Sequence, residues 1–341
     1  MDNINFDDLL DSIKRQECIL LLGPEIKMKN GLSQISSFYN QLAKEGLEMI
    51  HRYYANDELF LFKEEMYKGF FIKKIRRFYQ TEFELDIADA LAQVPFHLVI
   101  SCTPDEVLFN SLKKYDCEPV QVHFSKISAE SELKEPDINK PLVYKILGGI
   151  SEDESLILSH DDLFGFLQLI LGEKKLPLVI NKLFKKAKEL IFIGFQFDKW
   201  YLQLILRLFE LHKGQYAFNR IAASNDLTKE PKELCLEQFR IKFINNDIHT
   251  FVKELHKECI VRKMNRKIRA EDVSSSAYLA SQKEERLQKL KSRLETIYRL
   301  LAEYEKQEIL KSDPIEKLDI QEKIKMLKIE IDKTSLDIKN L

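Results

Sequence analysis

The chain has 341 residues, 45% of them hydrophobic, and a formal net charge of −2 at pH 7. That length allows one large domain or two smaller ones, and the near-zero charge lends no support to a nucleic-acid or membrane-surface binder. Five scattered cysteines, Cys18, Cys102, Cys117, Cys235 and Cys259, are never spaced C-x-x-C. They argue for a reducing compartment and against a zinc knuckle or a disulfide framework. The acidic start, residues 1–8, does not read as a signal peptide, and no apolar run approaches a membrane span. The expectation is a cytoplasmic protein with no membrane partner.

In chain order, residues 6–15 read as a short helix with Leu9, Leu10 and Ile13 on its apolar stripe. Residues 18–22, Cys-Ile-Leu-Leu-Leu, read as a strand buried on both faces, and Gly23-Pro24-Glu25 turns out of it. A helix is expected from Ser33 through Leu42, extending toward Met49. Residues 53–92 read as a helical insertion, dense in aromatics with Lys73, Lys74, Arg76 and Arg77 among them. Bases interleaved with aromatics suit nucleic-acid stacking, but a solvated basic face on a helical layer explains them without that partner. Strands follow at 96–100, 120–124 and 142–147, with a polar loop at 128–139 and a short extended stretch at 156–158. Asp161 or Asp162 is placed to cap the next helix.

The stretch 190–209 organises the rest. Leu190–Ile193 is a short apolar run, Gly194 turns the chain, and apolar residues recur at helical spacing from Trp200. Asp198 is a candidate N-cap for that helix. Strand, glycine, polar turn and helix is the unit of nucleotide-binding sheets, in which ligands bind where the strands end. Last strands are expected at 216–223 and 239–244, with a closing helix at 249–259. Six to seven strands alternating with helices give an α/β class: a Rossmann-like, doubly wound, mostly parallel sheet with helices on both faces.

Four strand ends carry polar or glycine-rich turns: Gly23-Pro24-Glu25, Thr103-Pro104-Asp105, Leu147-Gly148-Gly149 and Gly194-Phe195-Gln196. Their order resembles the sirtuin-like (silent-information-regulator-type) domains of bacterial antiphage and conflict systems. Residues 95–108 are similar to the family segment containing Thr-Asn-Tyr-Asp. Residues 144–149 are similar to the segment containing Lys-Leu-His-Gly-Ser, and residues 192–200 to the last nucleotide-side strand and turn. The resemblance covers residues 1–260. It implies an NAD pocket at Gly23, Glu25, Thr103, Asp105, Gly148, Gly194 and Gln196.

The same resemblance exposes departures. The family's small turn residue falls on Pro24, which has no N–H for a phosphate, and Glu25 sets a carboxylate where the dinucleotide's own charge would lie. The family's Asn falls on Thr103 and its His on Leu147, which cannot transfer a proton. The zinc-binding cysteines of protein deacylases are absent. These departures imply a catalytically inactive domain, and whether its pocket still holds NAD or a related nucleotide is left open. The alternative is an NAD-hydrolysing effector in which His160 or Asp105 stands in. His97 and His123 are weaker candidates, and Asp105 with Asp161 could be read as a carboxylate pair or as helix caps.

Residues 261–280 read as a charged linker. Leu287, Leu290, Leu294, Ile297, Leu301 and Tyr304, then Ile320, Ile324, Leu327, Ile331 and Ile338, alternate at three- and four-residue spacing, a heptad stripe. Asp313 and Pro314 suit a cap and a first helical position. Residues 281–341 are therefore expected to form a helical hairpin. Two helices bury little surface alone, so the pair must dock on its own body, on a copy of itself in a homo-oligomer, or on a protein partner in a larger complex.

Overall fold

The computed structural model describes residues 5–26, 28–29, 32–80, 86–124, 133–173, 176–213, 219–224, 229–244, 247–310 and 314–339. The chain divides into two compact units, Met1–Lys267 and Ile268–Leu341. In order, the first contains α1 (Phe6–Lys14), β1 (Cys18–Leu22), β2 (Met28–Lys29), β3 (Leu32–Ser33), α2 (Gln34–Glu45), β4 (Ile50–Tyr54), β5 (Leu59–Phe62), α3 (Lys68–Gln80), α4 (Asp86–Gln93), β6 (Leu98–Ser101) and α5 (Val107–Leu112). It continues with β7 (Val120–His123), β8 (Leu142–Lys145), α6 (His160–Gln168), α7 (Leu178–Lys186), β9 (Glu189–Ile193), α8 (Trp200–Leu208), β10 (Asn219–Ala223), α9 (Lys229–Phe239), β11 (Lys242–Phe243) and α10 (Ile248–Val261).

Seven of the described strands form one sheet in the order β11-β10-β9-β1-β6-β8-β7, and every pair in it is parallel. The expected doubly wound α/β class is therefore observed. Its central strands β1, β6, β8 and β9 are buried along their whole length, as continuous apolar runs require. Alternate residues of each strand enter opposite cores. Ile19, Leu21, Phe192 and Tyr144 pack with α6, α7, α8 and α9. Leu20, Leu22, Ile193 and Val143 pack with α1, α4, α5 and α10.

Several expectations are corrected in detail. The insertion expected as helix at 53–92 opens with an antiparallel hairpin, β4 with β5. The turn between them places Glu58 at φ 58°. Aromatic residues at strand spacing favour this pairing, and Tyr53 stacks on Phe60 at 4.9 Å. Among its described residues, α3 and α4 are α-helical and Glu65–Tyr67 forms a 3₁₀ turn. The hairpin, α2 and α3 close a third core around Tyr39, Phe60, Phe71 and Tyr79, joined by Ile150, Leu156 and Leu158. Most of the described aromatics in this segment are therefore buried in this core or packed against it. Among its bases, Arg76 pairs with Asp153 and Lys74 with Glu45.

Helix α6 is capped by Ser159, with Asp162 closing the capping box, so neither Asp161 nor Asp162 is the N-cap. Asp198 is not a cap either: Lys199 holds that position and makes no side-chain cap bond. The strands expected at 216–223 and 239–244 are shorter, β10 and β11, and residues 216–218 fall outside the described residues, as do 128–132 of the expected loop.

The boundary between the two units falls within the expected linker, 261–280. Arg266 is buried and donates to the carbonyls of Ala92, Val94, Phe96 and Ile138, which ties this stretch to the sheet body. The second unit then begins, with α11 (Ala270–Leu310) and α12 (Pro314–Lys339). These two helices pack as an antiparallel pair. Arg293 meets Glu330 at 2.6 Å and Gln321 meets Glu308 at 2.7 Å. Ile297, Ile320 and Ile324 are buried between them, on the heptad stripe read from sequence. Pro314 is the first helical residue, as expected, whereas Asp313 lies outside the described residues. Among the described residues no helix is long and apolar enough to cross a membrane.

Candidate functional site

Strands β1 and β9 lie side by side, but the chain winds outward from them in opposite directions, through β6 and β8 on one side and β10 and β11 on the other. Their carboxyl ends mark the switch point at which open α/β sheets bind ligands. The turns that leave these two strands close on each other. Gly23 donates its N–H to the Ile193 carbonyl at 2.9 Å, and Glu25 donates to the Gly194 carbonyl at 3.1 Å. A Cβ on Gly23 would lie 2.1 Å from that carbonyl oxygen, so only glycine fits. Gly194 sits at φ 64° and donates its own N–H to Ala223, which the absence of a side chain permits. Of the turn Gly23-Pro24-Glu25, two N–H groups are bonded to β9 and its turn, and Pro24 has none. The Glu25 carboxylate accepts from the Ser224 hydroxyl at 3.2 Å.

The turn after β6 is bound into itself. Thr103 is buried, with its hydroxyl 3.1 Å from that of Ser101. Asp105 is also buried and accepts the Val107 N–H at 2.9 Å, which holds the start of α5. The buried Lys145 donates to the Pro104 carbonyl at 3.1 Å. After β8, Gly148 adopts φ 81°. Ser155 secures this turn by accepting the Gly149 N–H and donating to carbonyl oxygens of Gly149 and Glu152.

A cleft, partly open to solvent, stands over these strand ends. Pro24, Thr103, Leu147 and Gln196 line it from four different turns, and Asp57, Glu58, Tyr39, Tyr79 and Tyr201 complete its wall. Thr103, Leu147 and Gln196 are thus brought together in one cleft. Gly23, Glu25, Asp105, Gly148 and Gly194 are not among its lining residues, and they act through the turns just described. Burial, with the Glu58 carboxylate adding to it, pushes the Tyr39 and Tyr201 phenols up, so both stay neutral near pH 7.

The candidate histidines are dispersed. His160 lies outside the lining, its Nε2 3.6 Å from Asp57 Oδ2 and its ring edge-on to Tyr54. His123 pairs with Glu152. His97 is buried immediately before β6, away from the carboxyl ends, and burial pushes it down to about 4. Asp161 is exposed on α6, whereas Asp105 is enclosed under α5. No group of three or more metal-ligating side chains exists among the described residues. Sequence reading missed the acidic and tyrosine wall. Its one signal was the polar break Asn56-Asp57-Glu58 between two aromatic runs, which marks a hairpin tip.

Residues 105–244 match the family model of the SIR2-like domain. No curated protein matches the chain. A solved structure described as "The Structural basis of Sirtuin Substrate Affinity" aligns with 76% of this chain and 99% of its own, at 12% identity and a TM-score of 0.38. The matched span runs from the end of the β6 turn through β11 and holds five strands of the sheet, β7 to β11. By that match, residues 105–244 are similar to the SIR2-like, or sirtuin-like, domain.

Proposed function

We propose that this sirtuin-like domain no longer cleaves NAD and serves as a scaffold or sensor, with the helical pair holding its partners. The observation that carries this reading is the closure of the β1 turn on the β9 turn. Backbone N–H groups at such a turn are what a dinucleotide's phosphates need. Here Gly23 and Glu25 donate theirs to Ile193 and Gly194. Leu147 adds to the argument: it lines the cleft where the family resemblance places a histidine, and losing a positioned acid–base group typically lowers a rate by about 10²–10⁴-fold. His160 faces Asp57 from outside that lining, so it is poorly placed to substitute.

The partner side of the reading rests on α11 and α12. Tyr298, Met326 and Ile329 are exposed on this pair, and two helices alone bury too little apolar surface for a stable domain. Self-association or a protein partner would cover them. The resemblance to conflict-system domains suggests a role in bacterial defence, as one member of an assembly.

The test measures NAD loss by concentrated full-length protein, with calorimetric titration of NAD into the same preparation. No loss of NAD is the expected result. Turnover would overturn the reading in favour of an NAD-hydrolysing effector. Binding without turnover would make the domain a nucleotide sensor, and neither would leave a scaffold.

A further inference from the structure

The cleft's wall has a definite electrostatic sign. Among its described lining residues the charged ones are Asp57 and Glu58, and no lysine or arginine joins them. Glu58 accepts a hydrogen bond from the Ser36 hydroxyl, and Asp57 faces His160 at 3.6 Å. Neither carboxylate has a lysine or arginine salt-bridge partner among the described residues. Carboxylates in a partly closed, low-dielectric wall attract a cation far more strongly than in open water, and they oppose a pyrophosphate. The floor is apolar: Leu59, Leu147 and Leu158 lie within the lining.

A second, independent feature starts from Tyr201. Trp200 lies 5.8 Å from its ring, Phe164 6.2 Å from Trp200, His160 6.3 Å from Phe164, and Tyr54 4.8 Å from His160. Phe164 is 55% and Trp200 38% exposed. Tyr201, at the inner end, lines the cleft. Exposed aromatic faces beside half-buried carboxylates suit a cation with an apolar body.

We propose that the cleft binds an alkylammonium ion, with Asp57 and Glu58 as its counter-charge, the leucine floor under its alkyl chain, and Tyr201 and Trp200 at its entrance. This rests on the reading above, that the domain no longer cleaves NAD and that its β1-turn N–H groups are taken up by the β9 turn.

The sequence contains one tryptophan, so its fluorescence reports on this entrance. The full chain is titrated with hexylammonium chloride, with 1-hexanol as the uncharged isostere, and with ADP-ribose. A saturable change in Trp200 emission with hexylammonium alone is expected, weakened at least tenfold by Glu58→Gln, by Asp57→Asn and by 1 M salt. Circular dichroism confirms that both variants fold, and calorimetry of the amine supplies a second readout. An equal response to hexanol, a response unchanged in both variants, or no saturable response overturns the proposal. NAD turnover in the same preparation would overturn the silent-domain reading on its own. Absence of both turnover and amine binding overturns only the alkylammonium assignment.

Discussion

Glu25 donates its backbone N–H to the Gly194 carbonyl across 3.1 Å, and Gly23, two residues earlier, lies so close that a Cβ there would come within 2.1 Å of the same oxygen. One carbonyl of the β9 turn thus confines position 23 to glycine and takes up the Glu25 N–H.

Gly23→Ala should therefore destabilise the body. The obstructing atoms are backbone, which cannot rotate aside, and overpacking of this kind costs about 3 kcal/mol. A fall in Tm on the order of 10 °C is expected. Gly69→Ala in α3 is the control, since a Cβ there meets nothing within 4 Å; it should be neutral or slightly stabilising. Equal melting of the two variants would show that the turns can separate.

Restoring the family's polar residues should not restore chemistry. In Thr103→Asn with Leu147→His, the Gly23 and Glu25 N–H groups remain bonded to the β9 turn. NAD loss followed by chromatography should stay at background. Turnover above background would show that the donors, not the missing histidine, were never limiting.

Arg266 is predicted to be a strong anchor. Its guanidinium donates to four backbone carbonyls, at 2.7–3.0 Å. Charge-assisted bonds contribute about 1.5–3 kcal/mol each before coupling, and removing the donor leaves buried oxygens unpaired. Arg266→Ala should lower stability by about 3 kcal/mol in urea unfolding. Arg266→Lys should recover little, because an ammonium cannot reproduce the planar fork. Full rescue by lysine would contradict this account.

Two buried groups should tilt stability with pH in opposite senses. Burial, helped by Asp8, raises Glu189 from its ordinary 4.5 to about 7. The folded state then holds a proton that the unfolded state releases, so this contribution is full below about pH 4.5 and is lost as pH rises toward 7. Burial lowers His97 from 6.5 to about 4. Here the unfolded state takes up the proton, so stability is full above pH 6.5 and is lost as pH falls through 4. Glu189→Gln should raise stability at pH 8 by on the order of 1–3 kcal/mol and leave a profile that declines only on the acid side. Urea midpoints across pH 4–8 measure both slopes, and an unchanged alkaline limb in Glu189→Gln would refute the assignment.

Some elements could be read directly. Residues 18–22 and 190–193 are apolar at every position, and a short run of that kind has few stable homes other than a sheet covered on both faces. The stripe of α11 and α12 was legible for a similar reason, since three-and-four spacing commits one helical face. The hairpin at β4 and β5 was not legible, because aromatics at 53–71 satisfy a helical or a strand pattern until a partner is chosen. Residues 261–269 are charged and read as solvent-exposed, yet Arg266 is buried; its partners are carbonyls that precede it by more than a hundred residues, in the loop 92–96 and at Ile138.

Sequence by itself determined the class of this protein: alternating strands and helices, four strand-end turns in a recognisable order, and a paired helical extension. Those features depend on local periodicity and on which residues can turn the chain. Only the tertiary structure decided what the turns do. Whether the Glu25 N–H meets a phosphate or the Gly194 carbonyl, and whether the cleft wall is basic or carries Asp57 and Glu58, depends on segments more than thirty residues apart being brought to one sheet edge. Contacts between such distant segments are made by folding, and no local pattern specifies them.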